Sequence, residues 1–353
     1  MSSDLPGYYS EFGFPETDLA IESFRFAEKA EQEFIFHHSL RAYIYGKVAA
    51  DQRGLKAGRD YDDELLFVCC VLHDLGLTEQ GNGDQRFEVD GADVAAEWLR
   101  ARGIDEKRVG VVWDAIALHT TEGVAQRKGP EIALTQAGTG TDMLGWGKED
   151  LPAGLVERVH AVLPRADISF ALTDAIVGQA MEKPSKASPL NFPGLLLRRH
   201  LPLGTMPDWH DLIAQTGWGD RPSALRSGET VATTPEQLGE LFSQRLAEGD
   251  LEGLAALYEP TATFVPQPGN VVSGAGEIRA NLEGYIKSGA RVELKVKKIH
   301  TVGDIAVLSC DGSATGLGPD GQTLNTTTTE VARRQPDGRW LYLVDDPFFG
   351  AEV

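Results

Sequence analysis

Two adjacent histidines begin the strongest chemical pattern in this sequence. They stand in FHHSLRAYIYG, where His38 is followed by Arg41, and histidine is scarce, with 8 in 353 residues. The segment LHDLG adds His73 and Asp74 at the end of an apolar stretch, and GTGTDMLG adds Asp142. Two imidazoles and two carboxylates from three separate segments suit one divalent ion such as zinc, manganese or iron. A charged His–Asp pair on an apolar helix also needs a compensating partner.

The elements that must position these residues are predicted to be helices. Residues 19 to 215 carry mostly helical patterns, as in TDLAIESFRFAEKAEQEF, and DDELLFVCCVLHDLG is typical of a buried helix. DGADVAAEWLRARG predicts another helix, with Asp90 as its N-cap. Pro164 is expected to separate two more helices in GLVERVHAVLPRADISFALTDAIVGQAM. The sequence therefore predicts an all-α domain around the candidate ligands.

The pattern changes towards the C-terminus. GDRPSALRSGETVATT has the composition of a linker, and the chain beyond it continues with one helical stretch and then alternating strands. Helices before a linker and strands after it predict a multidomain protein, all-α first and α+β second. The predicted domains are 1–220 and 233–353, with the linker at 221–232. Strand turns are expected at 303–304, 319–321 and 336–338.

Composition excludes several classes of partner. The formal net charge of −20 disfavours binding to phosphate backbones and anionic lipid, so neither nucleic acid nor membrane is an expected partner. Three cysteines give no disulfide framework, and the start MSSDLPGYYS lacks the basic and apolar regions of a secretory signal. These features suit a cytoplasmic protein.

Six motifs together carry a family resemblance over roughly residues 20 to 215. HHSLRAYIYG, LHDLGLTE, RFEVDGADVA, ALHTTEG, GTGTDMLG and VLPR resemble the cyanamide hydratase-like branch of the HD superfamily of metal-dependent hydrolases. The resemblance implies a helical bundle that holds one divalent ion, zinc first, with iron and manganese as alternatives. It implies four metal ligands: His38, His73, Asp74 and Asp142.

The surroundings of the first ligand histidine depart from that family in one position. The branch commonly has Asn before this histidine, whereas this chain has His37. His37 either takes over a hydrogen bond beside the metal, alters the pocket, or is an ordinary partly buried histidine. Arg41 lies three residues after His38 on the same helical face, and we expect it to hold Asp74 or Asp142 in place. An ordinary surface ion pair is the alternative for Arg41.

Three further residues are candidates for catalysis. His119, in ALHTTEG, is the one additional histidine between the His–Asp pair and Asp142, which favours a single metal and leaves His119 as a proton donor. Thr120 is placed to assist it. Glu88 either faces the metal or is an acid near a helix N-terminus, favoured by the helix dipole.

The chemistry expected at such a site is attack by a metal-bound hydroxide on a small electrophile. In the cyanamide hydratase-like branch the electrophile is a nitrile, and the product from cyanamide is urea. An HD-type phosphohydrolase acting on a small phosphomonoester is the alternative, although the motifs supply few cations for phosphate, Arg41, Arg86 and Arg165. A third hypothesis is a non-catalytic binding or scaffold protein with a vestigial site. The expected partner is a small-molecule substrate.

The C-terminal region resembles the SnoaL-like, nuclear transport factor 2-like fold. The resemblance rests on the opening helix, on LAALYEPTATFVPQPGNVVSGAGEIRANLEGYI and on the closing RWLYLVDDPFFG. It implies a cone-like α+β domain around a pocket, used for dimerisation or for holding a small ligand, so a homo-oligomer is expected. Because one fold hosts many functions, no activity follows from it. The candidate pocket residues are Tyr258, His300, Asp311, Trp340 and Asp345.

Overall fold

The structure is a computed structural model, and it describes residues 5–202, 205–218, 230–317 and 323–350. The chain divides into two compact units, Met1–His200 and Leu201–Val353, and each has its own hydrophobic core. Across the described residues, no helix combines the length and the apolar character needed to cross a membrane.

The first unit is helical in its described residues. Short connections join the helices, and several of these connections contain a single 3₁₀ turn. The helices are α1 (Gly7–Glu11), α2 (Asp18–Ala30), α3 (Glu33–Gln52), α4 (Asp63–Val71), α5 (Phe87–Arg100), α6 (Glu106–Leu118), α7 (Pro130–Leu144), α8 (Leu155–Val162), α9 (Ile168–Glu182) and α10 (Phe192–Leu197).

Helix α3 lies at the centre of this unit and packs closely against α7. Its residues from position 35 to 46 are all buried, including two histidines and an arginine. A methyl group on Gly138 of α7 would sit 1.9 Å from the Ala42 carbonyl oxygen of α3. On α3, a methyl group on Gly46 would sit 2.9 Å from the Leu134 carbonyl oxygen. These two glycines therefore let the two backbones approach closely, which brings the predicted ligands of α3 and α7 together.

Helix α4 ends just before the His–Asp pair. Its N-cap is Asp62, whose carboxylate accepts a hydrogen bond from the Leu65 amide at 3.1 Å. Every residue from Leu65 to Val71 is buried, as the apolar run predicts. His73 and Asp74 follow in the turn after the helix, so the end of the helix, rather than its face, presents them to the centre of the unit.

The second unit combines helices with one sheet. Its described elements are α11 (Trp209–Ala214), α12 (Gln237–Glu248), α13 (Leu251–Ala255), β1 (Tyr258–Gln267), β2 (Asn270–Ser273), α14 (Ala275–Lys287), β3 (Arg291–Val302), β4 (Ile305–Thr315), β5 (Leu324–Arg334) and β6 (Trp340–Asp346). The strand order is β2-β1-β6-β5-β4-β3. The β1–β6 pair is parallel, and the other pairs are antiparallel.

The predicted fold class, a helical domain followed by an α+β domain, is confirmed. The turns predicted at 303–304 and 336–338 join β3 to β4 and β5 to β6, and Pro164 lies between α8 and α9. The turn predicted at 319–321 lies outside the described residues. Most of the predicted linker 221–232 does so as well, so the predicted domain bounds stay predictions.

One helix start was predicted wrongly. Helix α5 has Arg86 as its N-cap and begins at Phe87, so Asp90 lies inside the helix instead of capping it. The carboxylate of Asp90 accepts a hydrogen bond from the ammonium of Lys186, and both side chains are buried. The ion pair gives this acid a structural partner away from the helix end, which the N-cap preference of aspartate does not anticipate.

Candidate metal centre

Three histidine rings converge on Asp74. The Nε2 atoms of His38 and His73 lie 3.2 Å apart, and they lie 3.8 and 3.2 Å from Asp74 Oδ2. The Nε2 atom of His119 lies 3.8 Å from the other carboxylate oxygen, Oδ1. His38, His73 and Asp74 have ligand atoms close enough together to hold one metal ion. All four side chains are buried.

The backbone fixes the orientation of two of these rings. His73 Nδ1 lies 2.7 Å from the carbonyl oxygen of Cys70, and His119 Nδ1 lies 2.7 Å from that of Ile116. These carbonyls lie at the ends of α4 and α6, where the last carbonyls have no partner within the helix. A carbonyl oxygen only accepts, so each Nδ1 donates, and each ring turns its Nε2 atom towards Asp74. Histidines that bind metals are oriented in this way.

The third ring is oriented by a carboxylate. His38 Nδ1 donates to Asp142 Oδ2 at 2.7 Å, which leaves His38 Nε2 facing His73 and Asp74. Asp142 therefore lies on the far nitrogen of the His38 ring. The structure brings together three of the four predicted ligands and places Asp142 behind one of them. The role of Asp142 as a direct ligand stays a prediction.

Two arginines hold Asp142. Arg41 Nε donates to Oδ1 at 2.9 Å and an Arg41 terminal nitrogen donates to Oδ2 at 2.8 Å, a two-pronged pair that is fully buried. Arg165 donates to Oδ1 at 2.8 Å and to the backbone carbonyl of Asp142 at 2.7 Å. Burial would raise the pKa of the Asp142 carboxyl, but His38 and Arg41 hold it well below its usual range. Of the two carboxylates proposed for Arg41, the structure selects Asp142.

Asp74 has the unsatisfied carboxylate of the site. Both of its oxygens are buried and accept no hydrogen bond of good geometry, and the imidazole nitrogens at 3.2 to 3.8 Å balance its charge only when they are protonated. Burial alone would raise the pKa of this carboxyl, but the rings of His73, His38 and His119 hold it well below its usual range. A buried, ionised carboxylate without hydrogen bonds is unfavourable unless a cation compensates it. The donor set of imidazole nitrogens and carboxylate oxygens fits a divalent ion such as zinc, iron or manganese.

His119 is neutral in this environment. Burial, together with the charge of the neighbouring His73, lowers the pKa of its ring to about 4, against the opposing effect of Asp74. A neutral ring that donates from Nδ1 has a lone pair at Nε2, so this atom takes up a proton before it can donate one.

A second polar cluster lies beside His119. Glu88 is fully buried, and Arg86 binds its carboxylate through two nitrogens. The hydroxyl of Thr120 donates to Glu88 at 2.6 Å and accepts from Arg86 at 3.0 Å. The charge of Glu88 raises the pKa of the His119 ring, and the catalytic roles of Glu88 and Thr120 stay predictions.

Sequence reasoning missed one buried acid near the site. Glu31, at the C-cap of α2, is buried, and its Oε1 atom has no hydrogen-bond partner. Burial raises the pKa of its carboxyl well above the usual value, and the charge of Asp74 raises it further. No sequence motif marks Glu31, because it lies at the end of an ordinary amphipathic helix. His37 is buried as well, and burial lowers the pKa of its ring.

Comparison with known protein families identifies both parts of the chain. The family model of the HD domain matches residues 35–157, and that of the SnoaL-like domain matches residues 240–343. No curated protein matches the chain at a significant level. HD domains are generally metal-dependent hydrolases that bind divalent ions.

Several solved structures resemble the chain over about a third of its length. A candidate calcium/calmodulin-dependent protein kinase type II association domain from Thiobacillus denitrificans is 18% identical, with 33% of this chain and 96% of that chain covered and a TM-score of 0.30. A candidate dehydratase of the NTF2-like family from Streptomyces avermitilis is 23% identical, with 31% and 87% covered and a TM-score of 0.27. A protein of unknown function with a cystatin-like fold from Nostoc punctiforme is 17% identical, with 36% and 92% covered and a TM-score of 0.28.

The helical unit contains the HD match with its His–Asp pair, and the mixed sheet unit contains the SnoaL-like match. The chain is thus a multidomain protein, in which a helical HD domain precedes a mixed-sheet domain of the SnoaL-like, NTF2-like fold.

Proposed function

We propose that the HD domain hydrates a small nitrile such as cyanamide, giving urea. The observation that carries the proposal is the unpartnered Asp74 carboxylate, with three imidazole nitrogens directed towards it. His38, His73 and Asp74 would hold one divalent ion, with zinc as the first candidate. When bound, such an ion supplies a Lewis acid that lowers the pKa of a water molecule to near neutrality.

His119 is proposed to move the proton. Its Nε2 lone pair accepts a proton from the attacking water, and the same atom then returns that proton to the nitrile nitrogen. A carbon–oxygen bond forms while one π bond of the nitrile breaks, and the resulting isourea tautomerises to urea. The hydrogen bond to the Ile116 carbonyl keeps the ring in the orientation that this transfer needs.

The charges around the site favour a neutral substrate over a phosphomonoester. Arg41 and Arg165 are bound to Asp142, and Arg86 is bound to Glu88. Each of the three arginines considered for phosphate binding is therefore already paired with a carboxylate. Phosphate esters need several cations to balance their charge in the transition state, whereas a nitrile is uncharged.

For the SnoaL-like domain we propose a role in dimerisation or in holding a small ligand. Its sheet has β2 and β3 as edge strands, and the domain contains a cavity, described below. A homo-oligomer is the expected assembly, which sedimentation of the full chain tests directly. A monomer at micromolar concentration would remove dimerisation from the proposal.

The test of the reaction is urea formation from cyanamide by protein of measured metal content. His119→Ala is compared with His200→Ala, which removes an exposed histidine of the same unit. We expect His119→Ala to retain metal and lose turnover, and His200→Ala to retain both. Loss of metal in His119→Ala would make His119 a ligand instead of a proton carrier. No urea from fully metal-loaded wild-type protein would reject cyanamide as the substrate.

A further inference from the structure

The SnoaL-like domain encloses a cavity of about 380 Å³. The cavity lies between α12, α14 and one face of the sheet, and its aromatic walls come from Phe242, Phe264, Tyr285 and Phe348. Its volume lies in the range of sites for small organic molecules. The described part of its lining is mainly apolar, so its few polar groups are candidates for orienting a ligand.

Two carboxylic acids lie at one end of this cavity. Glu330 on β5 and Asp345 on β6 are directly opposite each other across the two antiparallel strands, and both line the cavity. Both side chains are buried. Directly opposed residues of neighbouring strands place their side chains on the same face, where like charges are destabilising. Two ionised carboxylates in these positions repel each other, and a cation between them would relieve that repulsion.

The described neighbours of the acid pair donate hydrogen bonds to it but bring no positive charge. Burial, together with the charge of Glu330, raises the pKa of Asp345 to about 7, against a lowering by the hydroxyl of Tyr258, which donates to Asp345. Burial also raises the pKa of Glu330, and the thiol of Cys310 donates to it at 3.4 Å. Among the described residues, the titratable groups that act on the pair are themselves acids: Tyr258, Tyr285, Cys310, Tyr342 and Asp346.

No arginine, lysine or histidine lines the cavity within the described residues. A ligand that carries one positive charge would therefore supply the missing partner for the acid pair. The aromatic walls favour the same charge, because the faces of aromatic rings attract cations. Hydrogen bonds between an ammonium group and a carboxylate are also about twice as strong as neutral ones.

We propose that this cavity binds a small apolar molecule with a protonated amino group, which lies between Glu330 and Asp345 while the apolar part contacts the aromatic walls. The inference deepens the ligand-holding role proposed for this domain. It is independent of the reaction at the metal centre.

The test uses a matched set of probes on the full-length protein at pH 8. Phenethylamine, which is protonated at this pH, is compared by calorimetry and ligand-observed NMR with phenethyl alcohol and with hydrocinnamate. The three probes share one ring and differ in charge. We expect the amine to bind at least roughly tenfold more tightly than the alcohol, and hydrocinnamate not to bind.

Two variants locate the binding site. Glu330→Gln and Asp345→Asn are expected to weaken amine binding by roughly tenfold each or more. Asp304→Asn removes one exposed acid of the same domain, in the turn between β3 and β4, and is expected to change nothing. Equal binding of alcohol and amine in wild-type protein would overturn the charge assignment but keep the ligand-holding role. Absence of binding by all three probes, or amine binding that survives in both variants, would overturn the site itself.

Discussion

The two domains bury carboxylates in opposite environments. Asp74 and Asp345 are both buried, yet the pKa of Asp74 lies well below its usual range and that of Asp345 is raised to about 7. Burial raises the pKa in both cases. The difference comes from the neighbours, which are imidazoles around Asp74 and other acids and phenols around Asp345.

This contrast separates two ways of preparing a binding site. At Asp74 the carboxylate is ionised and three imidazole nitrogens surround it, a donor set that suits a divalent metal ion. At Asp345 the carboxyl shares a mainly apolar cavity with a second acid, which suits a single positive charge on an organic molecule. Burial alone therefore predicts neither the charge of a carboxyl nor its ligand.

The largest effect is expected from Asp74→Asn. The amide keeps the shape of the side chain but removes its charge, so metal affinity should fall by more than about a hundredfold and activity should be lost. Metal content after dialysis and urea formation measure both. Asp93→Asn, on the exposed side of α5, is the control and should retain metal. Normal metal content in Asp74→Asn would show that the charge of Asp74 is not needed to hold a metal, and would contradict the contrast with Asp345.

A pH dependence is expected for the SnoaL-like domain. The carboxyl of Asp345 has a pKa of about 7 when folded, whereas an unfolded aspartate ionises near pH 4. Between these values the folded state binds more protons, so the free energy of unfolding falls as pH rises, by up to roughly 4 kcal/mol, and levels off above pH 7.

Hydrogen exchange of β5 and β6, corrected for the intrinsic rates at pH 5 and pH 8, measures this dependence. Asp345→Asn should lose most of it, while Asp304→Asn, which removes an exposed acid, should keep it. Greater protection of wild-type strands at pH 8 than at pH 5 would contradict the assignment.

A smaller effect is expected from Asp142→Asn. The change weakens the hydrogen bond that orients His38 and removes the partner of Arg41, so metal affinity should fall by about 10–100-fold. Competition with a chromogenic chelator gives the affinity, and Asp150→Asn is an exposed control. If Asp142→Asn instead matched Asp74→Asn, Asp142 would be a direct ligand, as the sequence predicted.

The smallest effect is expected from Glu31→Gln. Glu31 belongs to the HD domain but resembles Asp345, because burial raises the pKa of its carboxyl and an acid neighbour adds to this. Glutamine keeps the shape and the neutral state, so in chelator-treated protein the free energy of unfolding should change by less than about 1 kcal/mol. Urea denaturation at pH 7 measures it. Loss of metal binding in this variant would show that Glu31 joins the metal site.

Parts of both sites could be predicted from the sequence, and the reasons differ. The adjacency of His73 and Asp74 after an apolar run was visible. Which nitrogen of His73 faces Asp74 was not, because the helix-end carbonyl of Cys70 decides it. His119 could be singled out from the sequence in the same way, but the nitrogen that carries its proton could not, because the carbonyl of Ile116 decides it.

In the second domain, the unknown pairing of the strands limited the prediction of pocket residues. Tyr258 and Asp345 were candidate pocket residues, and the structure joins them by a hydrogen bond. His300 and Asp311 were candidates as well, but both are exposed. Glu330 was missed because its position opposite Asp345 depends on the register between β5 and β6. That register shifts between 331 and 332, which alternation within one strand does not show.

Because α3 and α7 approach closely at Gly138, substitution of this glycine, which has no side chain of its own, would disrupt the metal centre. A methyl group there would collide with the backbone carbonyl of Ala42 and would push the two helices apart. His38 and Asp142 would then separate. A random-mutation screen for lost metal binding should therefore return position 138 alongside positions 73 and 74.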